Sequence, residues 1–404
     1  MDKTIYFIND YAGSRYHGME FRNYYYAKEF VKMGFTVYII TASYMHLFKK
    51  FPKVDNNFTF ENIDGINYIW VKVPKYRGST DKKRVLKWFT FTLKLFILPL
   101  KNMKKPDIVI ASPMAPFLTI PAYRLAKKYN AKFIYEVKDI WPLSIIELGN
   151  ISKANPLIKL MSWCEKFGIK KADSIVSSLQ NYGEHLKTIG IKKDFVWLNN
   201  GIDLEEMQNI EKLPQEVEKQ LPKNKFIVGY TGTVGIANAL EYFCKAAKEL
   251  QNMQDIAFVI VGDGKFKEDL QKRYSLLNNL YFINPVKKQQ VQSILQYFDV
   301  CYIGWNRENI YKYGISPNKI FDYMYSSKPI LHAFDFEDAD IVKLANCGIS
   351  VKSENVNSIS EGIIQFYNMT KEEREELGEN GKNYVLMHFT YKMLAKKYSK
   401  LFSV

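Results

Sequence analysis

The sequence predicts an α/β protein built from two doubly wound domains, and three observations carry that prediction. Short apolar runs rich in β-branched and aromatic residues alternate with stretches of helical spacing from Thr4 onward, the pattern of strand–helix–strand units in parallel sheets. The alternation restarts at Phe226, after the loop Asn199-Asn200-Gly201-Ile202-Asp203 and a polar stretch through Lys225 that reads as the interdomain connection. The chain has 404 residues, room for two cores of ordinary size.

Composition narrows the class. An apolar content of 47% with abundant aromatics indicates a folded globular chain. Cys164, Cys244, Cys301 and Cys347 are scattered, with no CxxC pair; they read as reduced, buried thiols of a cytosolic protein, not as metal ligands. Met1-Asp2-Lys3-Thr4-Ile5-Tyr6-Phe7-Ile8 runs straight into a strand pattern, without the basic-then-apolar order of a signal peptide. The net charge of +15 is uneven: residues 1–199 carry +16 and residues 200–404 carry −1. One half is therefore suited to an anionic surface.

In the first half, Thr4–Ile8 reads as a buried strand, Asn9–Gly18 as a loop, Glu20–Met33 as a helix and Phe35–Thr41 as the next strand. A loop after a first strand lies at the carboxyl edge of the sheet, where ligands bind. His17, Gly18 and Arg22 are candidates there, either functional or structural. Phe58–Val73 reads as two strands around the Asp64-Gly65 turn. The segment Lys72–Lys105 holds eleven basic residues against the single acid Asp81. Lys83, Lys87, Lys94, Lys101 and Lys105 recur at helical spacing beside the apolar run from Trp88 to Leu100. Such a helix is either a core helix with a solvated edge or one that lies in an anionic membrane surface; no nucleic-acid-binding motif accompanies it. Lys83, Lys87, Trp88 and Lys94 are the residues expected to face lipid. The strand Lys132–Val137 ends at Lys138-Asp139-Ile140-Trp141-Pro142. Charges at the carboxyl end of a central strand are either a salt-bridged pair or an acid/base site.

In the second half, Phe226–Tyr230 ends in Thr231-Gly232-Thr233-Val234-Gly235, and Ile256–Val261 ends in Gly262-Asp263-Gly264-Lys265. Glycines there let backbone N–H groups approach a ligand. A helix is expected over Lys288–Tyr297. The stretch Gly314–Leu331 reads as loop, short helix and strand, with Ser316 capping the helix and Pro317 in its first position. The N–H groups of Asn318, Lys319 and Ile320 then point out of a positive helix end, where Lys319 adds a full charge and Asp322 lies one turn on. This is either an ordinary capped helix or a seat for a phosphate and a sugar hydroxyl. No GxGxxG follows the first strand of either half, and no P-loop, HExxH or GxSxG occurs, which argues against a dehydrogenase.

Several of these segments, in order, resemble the retaining GT-B glycosyltransferases of family GT4, in particular the bacterial branch that builds surface polysaccharides such as O-antigen and capsule. The segments are Lys138-Asp139-Ile140-Trp141-Pro142-Leu143-Ser144, Asn200-Gly201-Ile202-Asp203, Thr231-Gly232-Thr233-Val234-Gly235, Val261-Gly262-Asp263-Gly264 and Ser316-Pro317-Asn318-Lys319-Ile320-Phe321-Asp322-Tyr323-Met324. The resemblance covers essentially the whole chain. It implies two Rossmann-like domains facing across a cleft, an acceptor domain over 1–199 and a donor domain over 200–387, with a closing helix over 388–404 packing back on the first.

It also implies roles. Gly232 and Thr233 would approach the donor diphosphate, Asp263 and Gly264 the base, and Ser316, Pro317, Asn318 and Lys319, with Lys265, the diphosphate. Asp322 stands where the second Glu of the family's E-x7-E motif meets the ribose. Asp139 and Lys138 would act on sugar and acceptor, beside His17, Gly18, Arg22 and Trp141. The first Glu of that motif would fall at Gly314, and Ile236-Ala237-Asn238-Ala239 stands where the family's Arg and Lys usually follow. The implied activity is transfer of a sugar, guessed as an N-acetylhexosamine, from UDP to a lipid-linked saccharide. It needs no cofactor, no metal and no nucleic acid, and takes place in the cytoplasm on the inner face of the membrane. A sugar-nucleotide epimerase and a catalytically silent sugar-nucleotide-binding subunit are the alternatives.

Overall fold

The computed structural model describes residues 3–18, 21–78 and 81–403. Met1 and Asp2 of the N-terminal stretch, Glu20 at the expected start of the first helix and Val404 of the closing helix lie outside the described residues.

In chain order the elements are β1 (Thr4–Ile8), α1 (Arg22–Lys32), β2 (Thr36–Ala42), β3 (Phe58–Ile63), β4 (Ile66–Val71), α2 (Lys83–Leu95), β5 (Ile108–Ala111), α3 (Thr119–Tyr129), β6 (Lys132–Val137), α4 (Leu143–Gly149), α5 (Pro156–Lys171), β7 (Ser174–Ser177), α6 (Tyr182–Thr188) and β8 (Val196–Trp197). They continue with α7 (Leu204–Gln208), α8 (Gln215–Glu218), β9 (Phe226–Thr231), α9 (Leu240–Glu249), β10 (Ile256–Val261), α10 (Lys267–Arg273), β11 (Leu280–Ile283), α11 (Val291–Leu295), β12 (Val300–Gly304) and α12 (Asn318–Tyr325). The last are β13 (Ile330–Ala333), α13 (Ile341–Leu344), β14 (Gly348–Val351), α14 (Val356–Asn368), α15 (Lys371–His388) and α16 (Tyr391–Ser399).

Two compact units result. The first comprises residues 1–200, 313–316 and 391–404, the second residues 201–312 and 317–390. Inclusion of 313–316 in the first unit was not foreseen from the sequence. The segment counted there at the C-terminus starts at 391, not 388.

The first unit holds an eight-stranded sheet of order β3-β4-β2-β1-β5-β6-β7-β8. All neighbours are parallel except β3 and β4, which form a hairpin around Asp64 and Gly65, both at positive φ. The central strands read as continuous apolar runs because helices cover both faces; β1 and β5 are buried along their whole length. α16 packs in this unit: Tyr398 meets Phe7, Tyr26 and Phe30 edge-on, at 5.3 to 6.4 Å between ring centres. Each such aromatic pair contributes about 0.5–1.5 kcal/mol beyond area burial.

The second unit holds a six-stranded parallel sheet of order β11-β10-β9-β12-β13-β14. Val228, Tyr230, Phe258, Ile260, Tyr302 and Leu331 project from alternate positions into one core with Phe243 of α9 and Ile363 of α14. The other face carries α12, whose buried Tyr323 hydroxyl receives a 2.7 Å hydrogen bond from the Thr231 amide. The strand order reverses between β9 and β12 here, and between β1 and β5 in the first unit. At such switch points the loops diverge and leave a crevice at the carboxyl ends of the strands.

Two local readings change. The helix expected over Lys288–Tyr297 is a 3₁₀ turn at Lys288–Gln290 followed by the single turn of α11. The stretch through Lys225, expected to be plain linker, contains α7, which Asp203 caps by accepting from the Glu206 amide.

Candidate functional site

The second unit builds its site at the β9/β12 switch point. The loop after β9 and the loop after β10 lie against each other, and glycine makes this possible. Gly262 has φ +156°, and a Cβ there would stand 1.8 Å from the Gly232 carbonyl oxygen. The Val234 amide donates to the Asp263 carbonyl at 2.9 Å. Gly232 and Thr233 are exposed on the rim, as is Asp263, whose carboxylate is turned back onto the Gly264 amide at 2.8 Å. Lys265 is exposed.

α12 starts at Asn318 and aims Lys319 into this loop. Lys319 Nζ lies 2.5 Å from the Tyr230 hydroxyl and 2.8 Å from Asn238 Oδ1. Tyr230 in turn donates to the Thr233 carbonyl at 2.7 Å, and Asn238 Nδ2 donates to the same oxygen at 3.0 Å. Lysine, tyrosine, carbonyl and asparagine thus close a ring of hydrogen bonds. Two of the three ammonium N–H groups are used among the described residues, which leaves one for an anion. No carboxylate among the described residues neutralises this lysine, and burial pushes its pKa down to about 7. The arrangement is a cation held at a helix N-terminus beside an exposed glycine loop, a setting built for phosphate oxygens.

At this helix one expectation needs correction, and one residue already has a partner. Ser316 does not cap it: Pro317 is the N-cap residue and Asn318 the first helical residue. The Ser316 hydroxyl instead donates to Asn199 Oδ1 within the first unit, and its carbonyl accepts from Asn200 Nδ2 at 2.9 Å. Asp322 is buried, and both of its carboxylate oxygens accept from Lys288, at 2.6 and 2.8 Å. A ribose would have to share that carboxylate with Lys288.

In the first unit, Asp139 follows β6 and is exposed, but its carboxylate is clamped. Trp141 Nε1 donates to Oδ2 at 3.0 Å, and the hydroxyl of Ser144, the second residue of α4, donates to Oδ1. Trp141 meets Trp88 edge-on at 5.3 Å, and the Arg84 guanidinium lies 5.3 to 5.4 Å from the rings of Trp88, Trp141 and Tyr11. The Lys138 carbonyl accepts from Ser178 at 3.1 Å. Asp139 and Trp141 border a crevice too narrow for a water molecule, with Met114, Tyr135, Glu136 and Glu165.

The loop after β1 and the start of α1, expected to meet an acceptor, are tied into the first unit. Arg22 is buried: its guanidinium donates to Glu136 at 3.1 and 3.2 Å and to the Leu198 and Asn199 carbonyls at 2.6 and 2.7 Å. His17 is buried against Trp70, bonds Ser14 at 2.8 Å, and is held below the usual histidine range by that burial. Gly18, at φ +88°, closes the same turn onto Ser14.

The membrane-facing set also divides. Lys87 is fully buried, its ammonium 2.8 Å from the Asp10 carboxylate, and Trp88 is buried beside it. Lys94 is tied to Asn57 and to the Lys72 carbonyl. Lys83 is exposed. What the helix and its exit do present is apolar: Leu86, Leu93, Phe96 and Ile97 are 45 to 65% exposed. Lys82, Lys101 and Lys105 are exposed around them. No helix among the described residues is long and apolar enough to cross a membrane.

Sequence reasoning missed Tyr230, Asn238 and Lys288. Asn238 lies in the segment that stands where the family's Arg and Lys usually follow, and Tyr230 and Lys288 belong to none of the quoted motifs. Each acts through a partner 34 to 89 residues away. The paired glycine loops were the available signal for the first two.

Two doubly wound units result, one with a caged lysine at a helix N-terminus beside a glycine loop, an arrangement suited to phosphate oxygens. The comparisons with known proteins name the class. The model of "Glycosyltransferase Family 4" matches residues 16–206, and that of "Glycosyl transferases group 1" matches residues 212–384. The uncharacterized glycosyltransferase MJ1069 of Methanocaldococcus jannaschii is 28% identical over 59% of this chain and 60% of its own length. A protein of Escherichia coli assigned provisionally to colanic acid biosynthesis, the glycosyl transferase WcaI, is 23% identical over 53% of this chain and 54% of its own. The matches thus span less than two-thirds of either curated relative. Sucrose-phosphate synthase of Thermosynechococcus elongatus superposes with a TM-score of 0.74 at 14% identity, covering 99% of this chain and 98% of that one. WaaG superposes at 0.67 and 13%, covering 98 and 99%. The chain belongs to the GT-B glycosyltransferases.

Proposed function

We propose that this glycosyltransferase moves a sugar from a nucleoside diphosphate, UDP first among the candidates, to a lipid-linked saccharide at an anionic membrane surface, with retention at the anomeric carbon. The observation that carries the donor half is Lys319, caged at the start of α12 and turned toward the Gly232–Thr233 rim. The leaving group is a diphosphate, and its developing charge would be met by Lys319 and by the amides at the helix start. Losing one such donor costs on the order of ten- to a thousandfold in rate. In a front-face displacement the departing phosphate oxygen takes the acceptor proton. Asp139, clamped by Trp141 and Ser144, would orient the acceptor or steady the oxocarbenium charge.

WaaG is described as involved in lipopolysaccharide biosynthesis, and HepE of Anabaena was solved with UDP-glucose. Both lend weight to a UDP-sugar and a surface glycan. The membrane half rests on the +16 charge of residues 1–199 and on the exposed apolar side chains of and after α2. The test is a thermal-shift screen over UDP-, GDP- and dTDP-sugars, then release of the nucleoside diphosphate with membrane lipid extract. Release that depends on the extract is expected. Turnover of donor without acceptor would favour an epimerase, and binding without release a silent subunit.

A further inference from the structure

The Lys319 ring stands at one end of a row of hydrogen-bonded loops, and the other end holds two residues that the sequence did not single out. From Lys319 the row passes through Tyr230 to the Thr233 carbonyl. The Val234 amide then donates to the Asp263 carbonyl at 2.9 Å, and the Lys267 amide to the Gly264 carbonyl at 3.0 Å. The Lys267 ammonium crosses to the next strand, donating to the Ile283 carbonyl at 3.3 Å and to Asn284 Oδ1 at 2.8 Å. The same Ile283 carbonyl accepts from the Gly262 amide at 3.1 Å. The loops after β9, β10 and β11 are thus tied to one another, in that order, along the carboxyl edge of the sheet.

Both ends lie on one face of the sheet. Tyr230, which holds Lys319, and Leu270 of α10, three residues beyond Lys267, enter the same core, and Phe282 packs against it. Asn284 comes two residues after Phe282, so strand alternation returns it to that face, where it meets Lys267. Neighbouring strands run about 4.8 Å apart, which puts the end of β11 about 10 Å from the end of β9. A nucleoside whose diphosphate sits on Lys319 therefore has the rim of Gly232, Asp263 and Gly264 to follow and Asn284 at its far end. Lys267 is 6% exposed, whereas Asn284 is open to solvent. An ammonium only donates, so the buried lysine turns Asn284 Oδ1 inward and leaves Nδ2, a donor, facing out.

We propose that the Asn284 amide reads the base of the donor nucleotide, with Lys267 as its positioning residue: Nδ2 donates to an exocyclic carbonyl oxygen of the base. This rests on the nucleotide-sugar reading above and narrows its nucleotide. Uracil and thymine at O4 and guanine at O6 offer that acceptor, whereas cytosine and adenine carry an amino group in the same place and would set donor against donor. The site therefore admits uridine, thymidine and guanosine diphosphates and disfavours those of cytidine and adenosine.

Calorimetry on wild type, Asn284→Ala, Asn284→Asp and Lys267→Met compares UDP with CDP and GDP with ADP, pairs of nearly equal shape. In the pair that binds, wild type is expected to favour the carbonyl base about tenfold or more. Asn284→Ala brings that ratio to within about twofold, and Asn284→Asp, an acceptor beside the same ammonium, takes it to unity or past it. Asn284 is exposed, so both variants keep the wild-type unfolding midpoint. Lys267→Met frees the amide to turn over and narrows the ratio as well, which the loss of a merely structural lysine would not do; an unmoved ratio there removes its positioning role. Equal binding of both bases by wild type, or a preference that survives in both Asn284 variants, overturns the base assignment while the donor reading stands. If no member of the panel binds, the donor reading falls and takes the assignment with it.

Discussion

Lys319 Nζ lies 4.1 Å above the centre of the Tyr230 ring while hydrogen-bonding the hydroxyl of that same ring. The tyrosine face and hydroxyl partly replace the water that a surface lysine would keep, yet no carboxylate among the described residues pairs with it. The pKa therefore falls to about 7 through burial.

A bound diphosphate reverses that shift, so binding takes up a proton above pH 7. For a nucleotide sugar, whose diphosphate does not itself titrate there, affinity is expected to be flat below about pH 6 and to fall up to tenfold per unit above pH 7. The free protein shows the linked effect. Its folded lysine binds fewer protons than the unfolded one above pH 7, so Lys319 opposes folding less as pH rises toward the ordinary lysine value. Calorimetry in buffers of different ionisation enthalpy reads the uptake directly. Lys319→Met should abolish both the uptake and the slope; a slope that survives would remove Lys319 from the phosphate site.

Arg22 is expected to reveal itself as structural. Its guanidinium is 4% exposed and Glu136 is fully buried, with Oε2 lacking a hydrogen bond among the described residues. Arg22→Ala strands that carboxylate, a change that costs about 3–5 kcal/mol. Urea unfolding should show a lowered midpoint, and the double variant Arg22→Met with Glu136→Gln should recover much of it. An unshifted midpoint with impaired acceptor use would restore the reading drawn from the sequence.

These two residues show where the sequence was legible. Lys319 could be placed because a helix start, its Pro and its Lys sit within a few residues of each other. Arg22 could not, because its partners lie at Glu136, Leu198 and Asn199, far along the chain. The same distance effect moved Ser316 off its helix, since its hydroxyl oxygen accepts from the Asn200 amide instead of a local one and its proton goes to Asn199. The strands were readable because both sheets, the β3–β4 hairpin aside, are parallel and covered on both faces, which makes each central strand a continuous apolar run. On α2 the periodicity was correct, but the side that faces inward was set by Asp10, which draws Lys87 into the core.

The membrane reading then turns on Leu86, Leu93, Phe96 and Ile97 rather than on Lys87. Vesicles of phosphatidylglycerol and phosphatidylethanolamine provide the measurement. Leu93→Ser with Ile97→Ser should weaken co-sedimentation about tenfold, in line with the loss of two partly inserted side chains. The unfolding midpoint should barely move, because both side chains already face solvent. Lys87→Met should do the opposite, lowering the midpoint because it leaves the buried Asp10 unpaired. Unchanged vesicle binding in the serine variant would sink the membrane claim.

Gly314 settles whether the carboxylate implied by the family resemblance could simply be restored. Its φ is +115°, and a Cβ there would stand 2.6 Å from the Gln180 amide nitrogen and 3.2 Å from the Leu179 backbone. On either side the loop is fixed within the first unit: the Tyr313 carbonyl accepts from the Asn181 amide at 2.9 Å, and Ser316 is bound to Asn199 and Asn200. A side chain at 314 meets backbone that cannot step aside, in a conformation that L residues rarely adopt. Gly314→Glu is therefore expected to lower stability by at least about 1–3 kcal/mol and to gain no turnover. Gly314→Ala should cost nearly as much, since the first carbon makes the clash. Denaturant unfolding of the pair separates the two causes: a glutamate variant as stable as wild type, with faster sugar transfer, would mean that the loop adapts and that the missing carboxylate, rather than the backbone, had been limiting.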